Sequence, residues 1–526
     1  MTTIPTGNLI AGVSSAAGAK THVAINPSTQ QPLAGEFNEA TTQEIEAAVS
    51  AAAAAADTYG KTTGAQRAEF LRTIASEIEE LGDTLIERAM AESGLPQGRI
   101  TGERGRTCGQ LRKFADHIEE GSWVNAIIDE AMPDRAPFPR TDLRKVSVAL
   151  GPVAVFTASN FPLAFSTAGG DSASALASGC PVIVKAHPSH LGTNALVSGA
   201  ISRAVEKSGL PKGVFSSIQG GIPVGQQLVQ HPNIKAIGFT GSLKGGKALF
   251  DLANQREQPI PVFAEMGSIN PMFILSGKLA EDQSGLATTL AGSVNLGAGQ
   301  FCTNPGLLIV EKGETYSSFI EALGTAFSAQ SAQTMLNEGI HKAFQQNSTA
   351  CVKHDGVQVH QTSQSNSGAW AANPHFATVD AKAFIANANL HEEVFGPFTL
   401  VVACEDEEEM HAVASSLQGQ LTASLFGTDA DLANAAPLAT LLTERVGRLI
   451  YNMVPTGVEV CAAMHHGGPF PATTFPGTTS VGVDAIQRFV RPVTFQNAPQ
   501  ALLPLALRDG NPLSIWRKVN DKLTQA

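Results

Sequence analysis

Cys302 stands in a stretch built like a tight turn, Gly299-Gln300-Phe301-Cys302-Thr303-Asn304-Pro305-Gly306. A thiolate presented there could attack an electrophilic carbon, whereas a thiol with nothing to ionise it is a small buried hydrophobe. Spacing alone does not decide between the two. Other groups with chemistry to offer are spread along the chain: the amide of Asn160, the ammonium of Lys185, and the carboxylates of Glu265 and Glu393. A lone Glu at a strand end is commonly just ion-paired, and a turn such as Gly241-Ser242-Leu243-Lys244-Gly245-Gly246 is by itself a weak sign of a phosphate cradle. Arg99, Arg104 and Arg106 crowd the segment Gly98–Thr107. A guanidinium there could grip a carboxylate with two charge-assisted hydrogen bonds, or pair with Glu103, Glu92 or surface acids. His465-His466 invites a metal reading, but no third ligand stands at usable spacing. No metal site is expected, and these histidines read as solvated or as lining a substrate mouth.

The elements that would position these residues are legible from Gly151 onward. Short apolar, β-branched runs (Val153–Thr157, Pro181–Lys185, Val214–Ile218, Ala236–Thr240, Pro261–Glu265) alternate with helical stretches at Ser172–Leu176, Thr193–Lys207, Val224–Val229 and Lys244–Ala253. Such alternation predicts a parallel, doubly wound α/β sheet. Asn160, Lys185, Gly220-Gly221, Gly241-Ser242 and Glu265 all fall at or just beyond the strand ends, where open α/β sheets bind ligands. A second α/β unit, with strands at Met272–Leu275, Leu307–Val310, Phe398–Val402, Leu421–Phe426 and Val446–Asn452, follows to Gly468. Upstream, Thr41-Thr42-Gln43-Glu44 is a capping box opening an Ala-rich helix to Ala56. A further helix is expected over Gln66–Met90, and another over Gln110–Ile118, after the Gly- and Arg-rich segment.

Composition agrees with an enzyme of this class. The 526 residues are 43% hydrophobic and 16% charged, with 50 Gly and 29 Pro, enough for two or three packed units. A net charge of -12 without a basic block argues against nucleic acid. No apolar run reaches bilayer length and no signal peptide opens the chain, so a cytoplasmic location with six reduced thiols and no membrane partner is expected.

Taken in order, Ser159-Asn160-Phe161-Pro162-Leu163, Phe239-Thr240-Gly241-Ser242, Glu265-Met266-Gly267, the Cys302 turn and Glu392-Glu393-Val394-Phe395-Gly396-Pro397 resemble the aldehyde dehydrogenase superfamily, over nearly the whole chain from Asn26-Pro27 to about Phe489. The resemblance implies a Rossmann-like cofactor domain (1–130 and 150–264), a catalytic domain (265–470), a small β oligomerisation arm (131–149 and 483–497) and a C-terminal tail (498–526) without a derivable role. It implies that Cys302 adds to an aldehyde, that Asn160 and the Cys302 N–H hold the oxyanion, and that Glu265 activates the water that hydrolyses a thioester. Gly241, Ser242 and Gly246 would lay a helix N-terminus against the cofactor pyrophosphate. Lys185 would bind the adenosine ribose, Glu393 and Phe395 would lie on the nicotinamide side, and Ser189 and Gly220 would also contact the cofactor.

The departures are as informative. Pro188 stands where NAD-preferring members place an acid three residues after the lysine, which points to NADP, with dual use left open. Ser159 replaces a Trp, and His465-His466-Gly467-Gly468 stands for a Pro-Phe-Gly-Gly stretch. The branch of the family it resembles acts on 2,5-dioxopentanoate, giving 2-oxoglutarate, with long-chain fatty aldehydes as the alternative substrate. Glu265 argues against a CoA-acylating relative. A thiol amidohydrolase would need a Cys-His pair, and no His is assignable to it. A homodimer or homotetramer, formed through Arg140–Ala149 and Val490–Phe495, is expected.

Overall fold

A computed structural model describes residues 4–360, 368 and 370–525. Its first sheet has seven strands in the order Val262–Glu265, Ala236–Thr240, Val153–Phe156, Val182–Lys185, Phe215–Ile218, then Asn8–Ile10 and Val13–Ser15. The first five of these run parallel, and the N-terminal hairpin closes the far edge antiparallel. Successive side chains of a strand face opposite ways, and here both faces are covered. Val153, Val155, Val182 and Val184 pack with Phe70, Leu71 and Ile74. Ala154, Phe156, Ile183 and Ile237 pack with Ile45, Val49 and Leu228 on the other face.

The second sheet runs Gln358–His360, His375–Asp380, Phe398–Cys404, Leu307–Glu311, Met272–Ile274, Gln420–Phe426, Val446–Tyr451. Its five expected strands are present, joined by His375–Asp380 and the antiparallel edge strand Gln358–His360, neither evident as a strand in the sequence. A third, five-stranded sheet pairs Val490–Gln496 antiparallel with Leu143–Ala149 along their whole length. Ile127–Asp129, expected within the first unit, extends this sheet, and the tail returns as Arg517–Val519 and Lys522–Thr524 to its outer edge. The tail thus acquires a role as two strands of the third sheet.

Two helical expectations need correction. The stretch expected as one helix over Gln66–Met90 is two, Gly64–Glu80 and Gly82–Ser93, broken at Gly82, whose φ of 53° is left-handed and easy only for glycine. Conversely, the Gly- and Arg-rich segment is no loop: a single helix spans Gln97–Glu120. Ile100, Thr107, Cys108 and Leu111 bury one face and outweigh the helix-weakening glycines. The helix opening at Thr42 has the capping box expected, Thr41 accepting from the Glu44 N–H and the Glu44 carboxylate from the Thr41 N–H. Among the described residues no helix is long and apolar enough to cross a membrane.

Candidate active site

Glu265 ends the strand Val262–Glu265 and is 3% exposed. The segment Ala472–Thr474 runs antiparallel beside that strand end, Met266 N–H donating to Ala472 O at 2.8 Å and Thr474 N–H to Ala264 O at 3.1 Å. It carries its flanking loops onto the carboxylate. The Ser480 hydroxyl donates to Glu265 Oε2 at 2.6 Å, and His466 Nε2 lies 3.0 Å from Oε1. His466 is held in turn by its N–H on Thr479 Oγ1 and by Ser480 N–H on its carbonyl. It is 1% exposed, so the expectation of a solvated or mouth histidine is wrong.

The same Nε2 is 3.4 Å from Cys302 Sγ. Asn270 fixes the cysteine turn, its amide donating to Cys302 O and to Asn304 O at 2.9 Å each. Asn160 donates to Gln300 O at 3.0 Å, so its amide stands beside the turn that carries the thiol. Three expected residues, Cys302, Glu265 and Asn160, thus converge, and His466 and Ser480 complete a constellation that sequence spacing did not reveal. The available signal was the departure itself: a titratable His where the family has an apolar residue. The expectation that no His pairs with the thiol, and that the His pair has no further ligand-type neighbour, fails because both neighbours come from remote parts of the chain.

Electrostatics oppose a resting thiolate. Burial, then the charge of Glu265 and its hydrogen bond, push the Cys302 thiol well above its ordinary value. Burial also works to raise Glu265, but the charge of His466 and the hydrogen bonds from His466, Ser480 and Cys302 prevail and hold its carboxyl below the usual range. A carboxylate, an imidazole and a thiol clustered this closely can pass a proton among them without any of them leaving the site.

Cys302 lines a cavity of 340 Å³ together with Phe161, Phe165, Phe301, Arg99 and Arg106. Gly98 and Gly102 form part of its wall, and no atom lies within 4 Å of where their Cβ would be, so these glycines leave the cavity open. The three candidate arginines separate. Arg99 is sandwiched against Phe161 and Phe301, its Cζ 4.4 and 4.6 Å from the ring centres, and faces Glu103 at 3.4 Å. Arg106 donates through Nη2 to Val458 O at 3.2 Å, while its buried Nη1 has no hydrogen-bond partner among the described residues. Arg104 does not line the cavity; it donates to Gly82 O at 3.2 Å.

Around the first sheet's strand ends, Ser242 caps the helix Leu243–Asn254, its Oγ accepting from Gly245 N–H at 3.2 Å. Gly241 N–H donates to Glu265 O at 3.0 Å, tying this turn to the strand that ends in Glu265. A Cβ on Gly246 would lie 2.6 Å from Met266 Cγ, so only glycine brings this helix start so close to the sheet. Burial lowers the Lys185 ammonium to about 8, against the raising effect of Glu39. Glu39, just after the strand Pro32–Asn38 that pairs with Thr21–Ile25 in a separate two-stranded sheet, reaches Gly221 N–H at 3.2 Å, with Lys20 at 3.0 Å and His22 at 2.7 Å on its carboxylate. Gly220, beside it, has φ of 154°. Ser189 accepts from Asn337 at 2.9 Å, linking the two units. Glu393 lies over Gly267, and burial raises its carboxyl to about 8. Phe395 lines the same small pocket as Glu393 and Ser268. A helix N-terminus packed this tightly by glycine, with an ammonium and a carboxyl flanking it, fits a nicotinamide dinucleotide.

Doubly wound parallel sheets joined to a β arm, with a half-buried thiol and a buried carboxylate between them, define the class. The chain belongs to the aldehyde dehydrogenase family, whose model matches residues 13–469, and it is an oxidoreductase that uses NAD(P). It is 48% identical over 511 residues, 97% of each chain, to the alpha-ketoglutaric semialdehyde dehydrogenase of Acinetobacter baylyi. It is likewise 48% identical over 515 residues, 97% of this chain and 98% of the other, to alpha-ketoglutaric semialdehyde dehydrogenase 2 of Azospirillum brasilense. The fold matches that of an aldehyde dehydrogenase of Pseudomonas aeruginosa with a TM-score of 0.80 at 22% identity, covering 94% of this chain and 97% of that one.

Proposed function

We propose that this enzyme oxidises 2-oxoglutarate semialdehyde (2,5-dioxopentanoate) to 2-oxoglutarate through a thioester on Cys302. The observation that carries the reading is the meeting of Cys302, His466 and Glu265 beside a cavity that Arg106 also lines, its buried Nη1 without a hydrogen-bond partner among the described residues. The names of the two relatives at 48% identity support the same substrate.

In this mechanism His466 takes the Cys302 proton as sulfur adds to the aldehyde carbon. The second N–H of Asn160 and the Cys302 N–H hold the resulting oxyanion. Bound NAD(P) supplies the hydride acceptor. Collapse of the oxyanion leaves a thioester, and Glu265, its Oε2 fixed by Ser480, removes a proton from the water that cleaves it. The carboxylic acid leaves and the thiol is restored. Arg106 grips the distal carboxylate with two N–H groups, while Arg99, committed to Phe161, Phe301 and Glu103, shapes the wall.

Lys185 and Gly220 hold the adenosine ribose side, Ser189 supports the turn after Lys185, Gly241, Ser242 and Gly246 hold the pyrophosphate, and Glu393 and Phe395 hold the nicotinamide side. NADP is the proposed preference. Pro188 puts no acid beside Lys185, and Glu39 is already compensated by Lys20 and His22. The enzyme works in the cytoplasm as a homo-oligomer, in keeping with six unpaired thiols and with exposed Leu502 and Leu523 around the third sheet.

The three phenylalanines of the cavity favour a second reading, a long apolar aldehyde, which would gain roughly 0.8 kcal/mol per buried CH₂. A panel of aldehydes assayed with each cofactor separates the two. The five-carbon semialdehyde should exceed hexanal and decanal in kcat/KM, and a preference for decanal would overturn the substrate assignment.

A further inference from the structure

Cys302 Sγ, His466 Nε2 and Glu265 Oε1 are a soft, a borderline and a hard donor whose ligand atoms all lie within 4.8 Å of one another. The sulfur-to-nitrogen edge is 3.4 Å and the nitrogen-to-oxygen edge 3.0 Å. Tetrahedral zinc, with bonds of about 2.3 Å to sulfur and 2.0–2.1 Å to nitrogen and oxygen, places such donors about 3.4–3.6 Å apart. The sulfur–nitrogen edge fits almost unchanged, the nitrogen–oxygen edge needs a few tenths of an ångström of opening, and the sulfur–oxygen edge, within 4.8 Å, closes to the same range on binding. Outer support is built on the carboxylate and on the His466 backbone, while the His466 Nδ1 is buried without a hydrogen-bond partner among the described residues. Ser480 holds the second carboxylate oxygen at 2.6 Å and leaves Oε1 free to ligate, and Thr479 and Ser480 fix the His466 backbone. Sulfur, nitrogen and oxygen in one tetrahedral face suit zinc better than magnesium or calcium, which take oxygen alone.

We propose that the catalytic centre is also a zinc(II) site, and that zinc, bound by Cys302, His466 and Glu265 with water in the fourth position, reversibly switches the enzyme off. Binding exchanges protons for metal. The thiol proton leaves to solvent, the imidazole proton moves to Nδ1, and the carboxylate ligates as it stands, so nothing is oxidised or reduced. The nucleophile is then occupied, and because Cys302 lines the substrate cavity, zinc and aldehyde exclude each other while the cofactor ground is untouched. Dehydrogenase activity measured without zinc does not depend on this proposal, so the two readings fail separately.

The test uses the full-length enzyme freed of chelators. Zinc should inhibit competitively with aldehyde but not with NADP⁺, should protect Cys302 from alkylation by iodoacetamide, and should be reversed by EDTA. Cobalt(II) as probe should give a sulfur-to-metal charge-transfer band in the near ultraviolet. His466→Gln and Cys302→Ser, each confirmed folded by its melting curve, should bind zinc on the order of 100-fold more weakly, since loss of even an outer-shell partner commonly costs 10–100-fold. Zinc affinity unchanged in both variants, or Cys302 alkylated at the same rate with and without zinc, would overturn the proposal.

Discussion

His466 Nε2 stands 3.4 Å from Cys302 Sγ and 3.0 Å from Glu265 Oε1, bridging two groups that the chain keeps far apart. A buried histidine between the nucleophile and the carboxylate makes proton transfer out of the thiol local, which matters because burial and Glu265 both raise that thiol. His466→Gln should lower kcat/KM by roughly 10²-fold or more, the usual range for a positioned base. Alkylation of Cys302 by iodoacetamide should slow in parallel, with the Kd for NADP⁺ unchanged. Alkylation at the parent rate would confine His466 to a packing role.

Arg106 is the arginine expected to set substrate choice, because it lines the cavity and its buried Nη1 has no hydrogen-bond partner among the described residues. Arg106→Ala should raise KM for the semialdehyde by about 10–100-fold, the loss of roughly 1.5–3 kcal/mol for a hydrogen bond to a charged group. Hexanal should be little affected. Arg104→Ala, which removes only a hydrogen bond to Gly82, should leave both KM values near those of the parent. Equal effects on both aldehydes in the Arg106 variant would point to a structural role.

Cofactor choice is proposed to turn on Pro188 and Glu39. The parent should show a lower KM for NADP⁺ than for NAD⁺, and Pro188→Glu should reverse that order by bringing an acid to the ribose 2′ position. Glu39→Gln should favour NADP⁺ further. A parent that already prefers NAD⁺ would assign the missing acid's role to Glu39, reaching in from the end of the strand Pro32–Asn38.

Lys185 gives the site a pH dependence with a definite sign. Burial lowers its ammonium to about 8, so it carries its charge below that pH and loses it above. KM for NADP⁺ should therefore climb as pH rises through about 8, with kcat less affected. Lys185→Arg, which stays charged, should flatten that climb. An unchanged KM across pH 7–9 in the parent would remove Lys185 from cofactor binding.

The parallel sheets were legible because their strands are buried on both faces and read as apolar runs with helices between. Cys302, Asn160 and Glu265 were legible through ordered motifs. What escaped had no local signal. The helix Gln97–Glu120 was hidden by glycines whose helix cost is met by remote packing, and the tail strand Arg517–Val519 pairs with Ile127–Asp129 across most of the chain. His466 looked solvated because its partners lie 164 and 201 positions away, and only the fold-back of Ala472–Thr474 along the Glu265 strand brings them together.

The central claim, a thioester on Cys302 that Glu265 is needed to hydrolyse, is tested most directly by mixing Glu265→Gln enzyme rapidly with 2-oxoglutarate semialdehyde and NADP⁺. The account expects a burst of reduced cofactor near one equivalent per site, then very slow turnover, with the acyl group found on Cys302 by intact-mass and peptide analysis. Turnover at the parent rate without a covalent adduct, or an adduct on another residue, would contradict it.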